Sequence, residues 1–178
     1  MDTTVTITLN KEEDSYSKEA LVSDILVGSV MEVFDYKAED MKAVLYRKNG
    51  QLFSGKLIIK YSSGDTFFDC TYKDGKQDGV ETRYYPNNII AKKTQIKCNK
   101  GEGDIYIYDI YGRLSIFYQQ KNDLPNGVIE YYYPNGNVKE KGKQYTNPSD
   151  GLFSLPKREG VWKYYYENGQ IKRRRRMA

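Results

Sequence analysis

The chain has 178 residues, 18 of them tyrosine, a hydrophobic content of 39%, no histidine and a net charge of +4. That length suits one ordinary domain, and the apolar content is too high for a disordered chain and low for a thick core. Without histidine the commonest general base and metal ligand is absent, and tyrosine wealth with little leucine or alanine favours strands over helices.

The charge is unevenly placed. Residues 1–45 carry a balance of −6 and residues 46–178 a balance of +10. Such asymmetry divides the chain into a small N-terminal cap, 1–45, and a larger array, 46–178. It also raises nucleic acid or an acidic protein as partner. Cys70 and Cys98 form no CxxC or zinc pattern. A disulfide between them is the less favoured arrangement, and a reducing compartment fits at least as well. With no signal-peptide pattern and no apolar run long enough to span a bilayer, the expected location is cytoplasmic.

Residues 3–9 alternate polar and apolar side chains and predict a strand. Ser17 to Val27 is a candidate short helix, with Ser17 at the N-cap, Leu21, Ile25 and Leu26 on one face, and Gly28 as its end. Within 30–40 the preferred reading is a strand through Phe34. Arg47-Lys48-Asn49-Gly50 predicts one degenerate hairpin before the regular pattern begins.

From there a repeat of 24 residues runs through Gly55, Gly79, Gly103 and Gly127. Nine residues after each stands Gly64, Asn88, Gly112 or Gly136, and two further on Thr66, Ile90, Leu114 or Val138. Asn is the usual substitute for Gly where φ must be positive, so Asn88 fits the turn. A fifth repeat opens late, at Gly160, with Gly169 and Ile171 at the matching offsets. The insert around Asn147-Pro148-Ser149-Asp150-Gly151 and Pro156 predicts an exposed loop. Each repeat reads as two strands joined by a tight turn, at 62–64, 86–88, 110–112, 134–136 and 167–169. The fold expected is mainly all-β: an elongated single antiparallel meander of hairpin repeats with a small mixed N-terminal cap.

The fifth repeat, Gly160-Val161-Trp162-Lys163-Tyr164-Tyr165-Tyr166-Glu167-Asn168-Gly169-Gln170-Ile171-Lys172, resembles the MORN-type variant pattern Gly-x-x-x-x-Tyr-Tyr-x-x-Gly. Leu52-Phe53-Ser54-Gly55-Lys56 and Tyr72-Lys73-Asp74-Gly75-Lys76-Gln77-Asp78-Gly79 resemble it too. The resemblance covers about residues 45–178. The third repeat departs from it, with Asp109 where the others have Tyr61, Tyr85, Tyr133 and Tyr166. Bacterial proteins of this variant, the YwqK type, are described as antitoxin or immunity partners of toxins. The resemblance therefore implies a protein that binds and neutralises a toxin or nuclease.

Side chains alternate across a strand. One face takes Leu57-Ile59-Tyr61, Glu81-Arg83-Tyr85, Ile105-Ile107-Asp109, Ile129-Tyr131-Tyr133 and Trp162-Tyr164-Tyr166. It is the more apolar face, except in the second repeat, and is expected to turn inward. The mixed face takes Lys56-Ile58-Lys60, Val80-Thr82-Tyr84, Asp104-Tyr106-Tyr108, Val128-Glu130-Tyr132 and Val161-Lys163-Tyr165. It is the candidate binding surface, with Tyr84, Tyr106, Tyr108, Tyr132, Lys163 and Tyr165 as partner-binding residues. Most tyrosines are expected to stabilise the sheet by cross-strand stacking. Arg173, Arg174, Arg175 and Arg176 form the densest charge run. The bland reading, a solvated C-terminal tail, is preferred, and an electrostatic handle or an edge guard is the functional one.

No nucleophile–base arrangement, clustered acids or metal-ligand spacing occurs, so no catalytic, metal or cofactor residue is assigned and the chain is read as a non-enzyme. The leading expectation is a monomeric, protein-binding inhibitor that covers a toxin or nuclease surface. A relative of it is an inhibitor of an RNA-guided or other nucleic-acid-degrading defence effector. The alternatives are a basic, tyrosine-rich nucleic-acid binder and a membrane-surface scaffold.

Overall fold

The computed structural model describes residues 3–8, 34–39, 42–47, 49–147, 149 and 155–177. The candidate helix Ser17–Val27 and residues 30–33 lie outside them, as does most of the insert after Asn147. Among the described residues no helix is long and apolar enough to cross a membrane. The all-β meander of hairpin repeats is what these residues form, in two compact units.

The N-terminal unit comprises residues 1–89 and 96–99. Its strands are β1 (Thr3–Thr8), β2 (Phe34–Glu39), β3 (Lys42–Arg47), β4 (Gly55–Lys60), β5 (Thr66–Lys73), the two-residue β6 (Lys76–Gln77) and β7 (Gly79–Tyr84). A 3-10 turn, Pro86–Asn88, follows, with Asn87 and Asn88 at positive φ. β4 pairs antiparallel with β5, and β5 with β6 and β7. β1 is the strand predicted for residues 3–9. It pairs parallel with β4, from Thr3 opposite Gly55 to Thr8 opposite Lys60, and so covers an otherwise open strand edge. β2 and β3 form their own two-stranded sheet. β2 begins at Phe34, the residue at which the sequence reading ends a strand, and runs on to Glu39.

The predicted degenerate hairpin at Gly50 is present. Arg47 and Gln51 close it by backbone hydrogen bonding, Tyr46 bridges Leu52, and Gly50 has φ +79°. It delivers Phe53, fully buried, into a cluster with Ile7, Leu45, Leu57, Ile59, Phe68 and Cys70. Gly75 lies under this hairpin at φ +77°, where a Cβ would meet Val44, Leu52 and the Leu45 carbonyl at under 3 Å. Only glycine fits there.

The C-terminal unit comprises residues 90–95 and 100–178. β8 (Ile90–Lys97) contributes residues to both units. β9 (Lys100–Tyr108), β10 (Leu114–Lys121), β11 (Leu124–Tyr132), β12 (Val138–Tyr145), β13 (Lys157–Tyr165) and β14 (Ile171–Met177) follow, each antiparallel to the next. All five predicted turns and all five predicted return-strand starts stand where the repeat places them. In the fourth and fifth turns Asn135 and Asn168 accept the amide two residues on; in the third, Asp109, two positions earlier in the repeat, accepts the Tyr111 amide.

The pairing register slips once just after the start of the return strand, in the first, third, fourth and fifth repeats. An extra residue, Phe67, Ser115, Lys139 or Lys172, is left without an opposite partner there. Such bulges bend a strand and increase its twist. The expected inward row is confirmed at the second position of every repeat, since Leu57, Glu81, Ile105, Ile129 and Trp162 are all buried. Trp162 lies against Gly142, where any Cβ would overlap the indole, and its Nε1–H donates to the Lys143 carbonyl at 3.2 Å.

Candidate binding surface

Strand register arranges the mixed face of the C-terminal unit into rows. Tyr106 stands opposite Phe117, Phe117 opposite Glu130, Glu130 opposite Lys141, Lys141 opposite Lys163, and Lys163 opposite Arg174. The row thus passes from aromatic to cationic. The Tyr106 and Phe117 rings are 5.2 Å apart, and Lys141 reaches Glu130 at 3.5 Å. Beside it Tyr108 faces Leu114, Tyr132 faces Val138 and Tyr165 faces Ile171. Among the described residues the side chains of Lys163, Arg174 and Arg176 form no hydrogen bond or ion pair.

The acids on this face are held by phenols. The Tyr132 hydroxyl donates to Glu130 at 2.6 Å and the Tyr106 hydroxyl to Asp104 at 3.4 Å. Partial burial, then the adjacent Glu130, pushes the Tyr132 phenol well above its usual range, and Tyr106 is raised in the same way by burial and Asp104. Both are therefore neutral donors at ordinary pH. Tyr84 makes the equivalent bond in the N-terminal unit, to Asp69 at 2.7 Å, and burial followed by Asp69 raises it to about 12.

The structure thus brings Tyr106, Tyr108, Tyr132, Lys163 and Tyr165 onto one face of one unit, while Tyr84 belongs to the other unit. It divides the arginines. All four lie in β14, paired with β13 from Tyr164–Arg173 to Val161–Arg176. The preferred reading of a loose tail is therefore corrected: the run is a hydrogen-bonded strand. Alternation puts Arg174 and Arg176 with Lys163 and Val161 on the mixed face, and Arg173 and Arg175 opposite Tyr164 and Trp162 on the other.

That other face is the one expected to turn inward. Its outer rows, Tyr131, Tyr133, Tyr164 and Tyr166, are only half-buried or exposed. Cations lie over its rings: Arg158 is 3.8 Å from the Trp162 centroid, Arg173 4.4 Å from Tyr164, Lys172 5.4 Å from Tyr166 and Lys139 5.8 Å from Tyr133. A cleft of about 280 Å³ opens among Tyr133, Lys139, Glu140, Tyr164, Tyr165, Lys172 and Arg173. The signal was available in the repeat, because Lys139 and Lys172 both occupy its bulge position.

Two departures from the repeat are also resolved. Glu81, an acid in the inward row, pairs with Arg83 at 2.8 Å. Asp109 accepts from the Tyr111 and Arg113 amides and the Arg113 guanidinium; slight desolvation works the other way, but these bonds hold its carboxyl below the usual range. Cys70 is a buried thiol, raised by burial and then by Glu81, and Cys98 is an exposed one; both are free. Among the described residues no three potential metal ligands cluster.

Residues 77–97, 125–147 and 158–175 match the MORN repeat variant family. The chain carries MORN-type repeats. The matches take in the second, fourth and fifth repeats. The first and third MORN-type repeats lie outside them, yet their strands, turns and bulges are the same. No curated protein matches the chain.

Proposed function

We propose that this chain is a non-enzymatic binding protein that neutralises a partner protein, a toxin or nuclease, by covering its active or substrate-binding surface. The observation that carries the reading is the cationic end of the mixed face. Lys141, Lys163 and Arg174 stand directly opposite one another on neighbouring strands, with Glu130 beside the first alone. Like charges so placed weaken a sheet. An acidic partner surface offsets that repulsion, and the tyrosines beside the row are the residue type that anchors interfaces. The antitoxin or immunity role, of the YwqK type, comes from the likeness of the repeats and is an associational warrant. An inhibitor of an RNA-guided or other nucleic-acid-degrading effector uses the same surface in the same way.

The test is to recover the cross-linked partner from source cells, purify it and titrate its activity with this protein. Inhibition is expected to be complete at one-to-one stoichiometry with no added cofactor. Lys163→Glu with Arg174→Glu is expected to slow association and flatten its salt dependence, because such charges steer encounter. Tyr106→Ala with Tyr132→Ala is expected to speed dissociation. Catalytic turnover at sub-stoichiometric protein, or unchanged inhibition by both double variants, overturns the reading. Tighter binding to single-stranded nucleic acid than to any protein moves the surface to nucleic-acid recognition.

A further inference from the structure

The cleft at the turn end of the fourth and fifth repeats lies on the face opposite the proposed row. Its geometry starts from the backbone. Bulges at Lys139 and Lys172 bend the two return strands beside it, and each bulge residue is a lysine. Tyr133 bridges the hairpins by donating its hydroxyl to the Tyr165 carbonyl at 2.9 Å, while Asn135 and Asn137 donate to the Glu167 carbonyl. Three side-chain bonds of this kind need no ligand, so the cleft is built in the free protein.

Its charge is not balanced from within. Glu140 is the one acid lining it, and both oxygens of that carboxylate are taken by Arg158, at 3.2 and 3.4 Å. Arg158 also donates to the Tyr164 hydroxyl. The side chains of Lys139, Lys172 and Arg173 form no hydrogen bond or ion pair among the described residues and rest on tyrosine rings. Resting on a ring leaves the N–H donors facing outward, available to an anion.

We propose that this cleft is a socket for the carboxylate of an aspartate or glutamate on an acidic protein partner. It rests on the reading that the chain binds a protein and names the chemistry recognised. A volume of about 280 Å³ lies just under the roughly 300–1,000 Å³ range of small-molecule pockets and suits one or two side chains. Occupied rings decide against nucleic acid. A base stacks on an open aromatic face, and the faces of Tyr133 and Tyr164 already carry Lys139 and Arg173. A forked guanidinium such as that of Arg173 matches carboxylate geometry.

The test uses the full chain and a hexaglutamate peptide as probe, by calorimetry and by amide chemical shifts at low salt. Binding is expected, with shifts centred on the backbone of Tyr133, Lys139, Tyr164 and Arg173. The triple change Lys139→Gln, Lys172→Gln, Arg173→Gln is expected to weaken it about tenfold, equivalent to about 1.4 kcal/mol. A control of equal charge, Lys100→Gln, Lys121→Gln, Lys143→Gln, is expected to change it less than about twofold. Tyr164→Leu, which removes the platform and keeps every cation, is expected to weaken it as well. Equal loss in both triple variants, no binding at all, or tighter binding of oligothymidylate in the same cleft each overturns the proposal. The peptide result and the stoichiometric inhibition are separate measurements, so a failed socket leaves the inhibitor reading standing and a failed inhibitor leaves the socket measurable.

Discussion

The N-terminal and C-terminal units are built from the same hairpin and are held together differently. In the first, the inward face of β4 and β5 is covered, because Ile7, Leu45 and Phe53 pack on Leu57, Ile59, Phe68 and Cys70. In the second, the buried hydrophobic residues among those described are the row of Ile105, Ile129 and Trp162; beyond it in the fourth and fifth repeats stand tyrosines, of which Tyr133, Tyr164 and Tyr166 lie under a lysine or an arginine. The backbone answers to glycines, turns and bulges, which are alike in both. Extra chain folded over a face makes it a core, and a face left open takes amphipathic side chains that tolerate water on one side. The open face is where recognition chemistry can sit.

Removing the largest anchor of each unit tests this contrast most severely. Phe53→Ala and Trp162→Ala are each expected to cost about 3–5 kcal/mol of stability, the range for buried aromatic truncations. Chemical denaturation measures it. A Trp162→Ala cost under about 1 kcal/mol would mean that the cation-covered tyrosines, and not the buried row, hold the C-terminal unit.

The shared backbone grammar is tested next, at Gly136. It has φ +85° with open space around it, so substitution meets strain and no collision. Gly136→Val is expected to lose about 1–3 kcal/mol, and Gly136→Asn much less, since asparagine tolerates that region. Equal losses for the two variants would point to a hidden steric requirement.

A smaller effect is expected where the second repeat breaks the apolar row. Glu81→Leu restores the pattern of its neighbours, and the freed Arg83, a third exposed, can reach water. The change in stability is expected to stay within about 1 kcal/mol of zero. A loss above about 3 kcal/mol would show that the ion pair organises its surroundings.

The smallest effect concerns Tyr84. Its folded pKa of about 12 lies above the unfolded value near 10, so its contribution is fully present below pH 10 and is lost as the pH rises toward 12. Tyr84→Phe is expected to flatten the alkaline fall of stability in that window, measured by urea midpoints across pH. An unchanged slope would show that ionisation of Tyr84 does not drive the alkaline loss of stability.

The positions of turns and strands were legible in the sequence because they rest on local backbone demands. Gly64, Asn88, Gly112, Gly136 and Gly169 all stand at positive φ, and Thr66, Ile90, Leu114, Val138 and Ile171 each begin a strand. A period of two then sorted side chains into faces correctly, down to the buried second position of every repeat. What tertiary structure alone decided is in which unit the inward face is covered. That depends on distant segments, such as Ile7 in β1 and Phe53 after β3, whose docking no periodicity within the repeat encodes. The same holds for Arg173 to Arg176. As a run of charge they resembled a solvated tail, and only pairing with β13 made them a strand and sent alternate arginines to opposite faces. The cleft was hidden for a further reason: it joins Lys139 and Tyr133 of one repeat to Lys172 and Arg173 of the next, a neighbourhood created by strand register across hairpins.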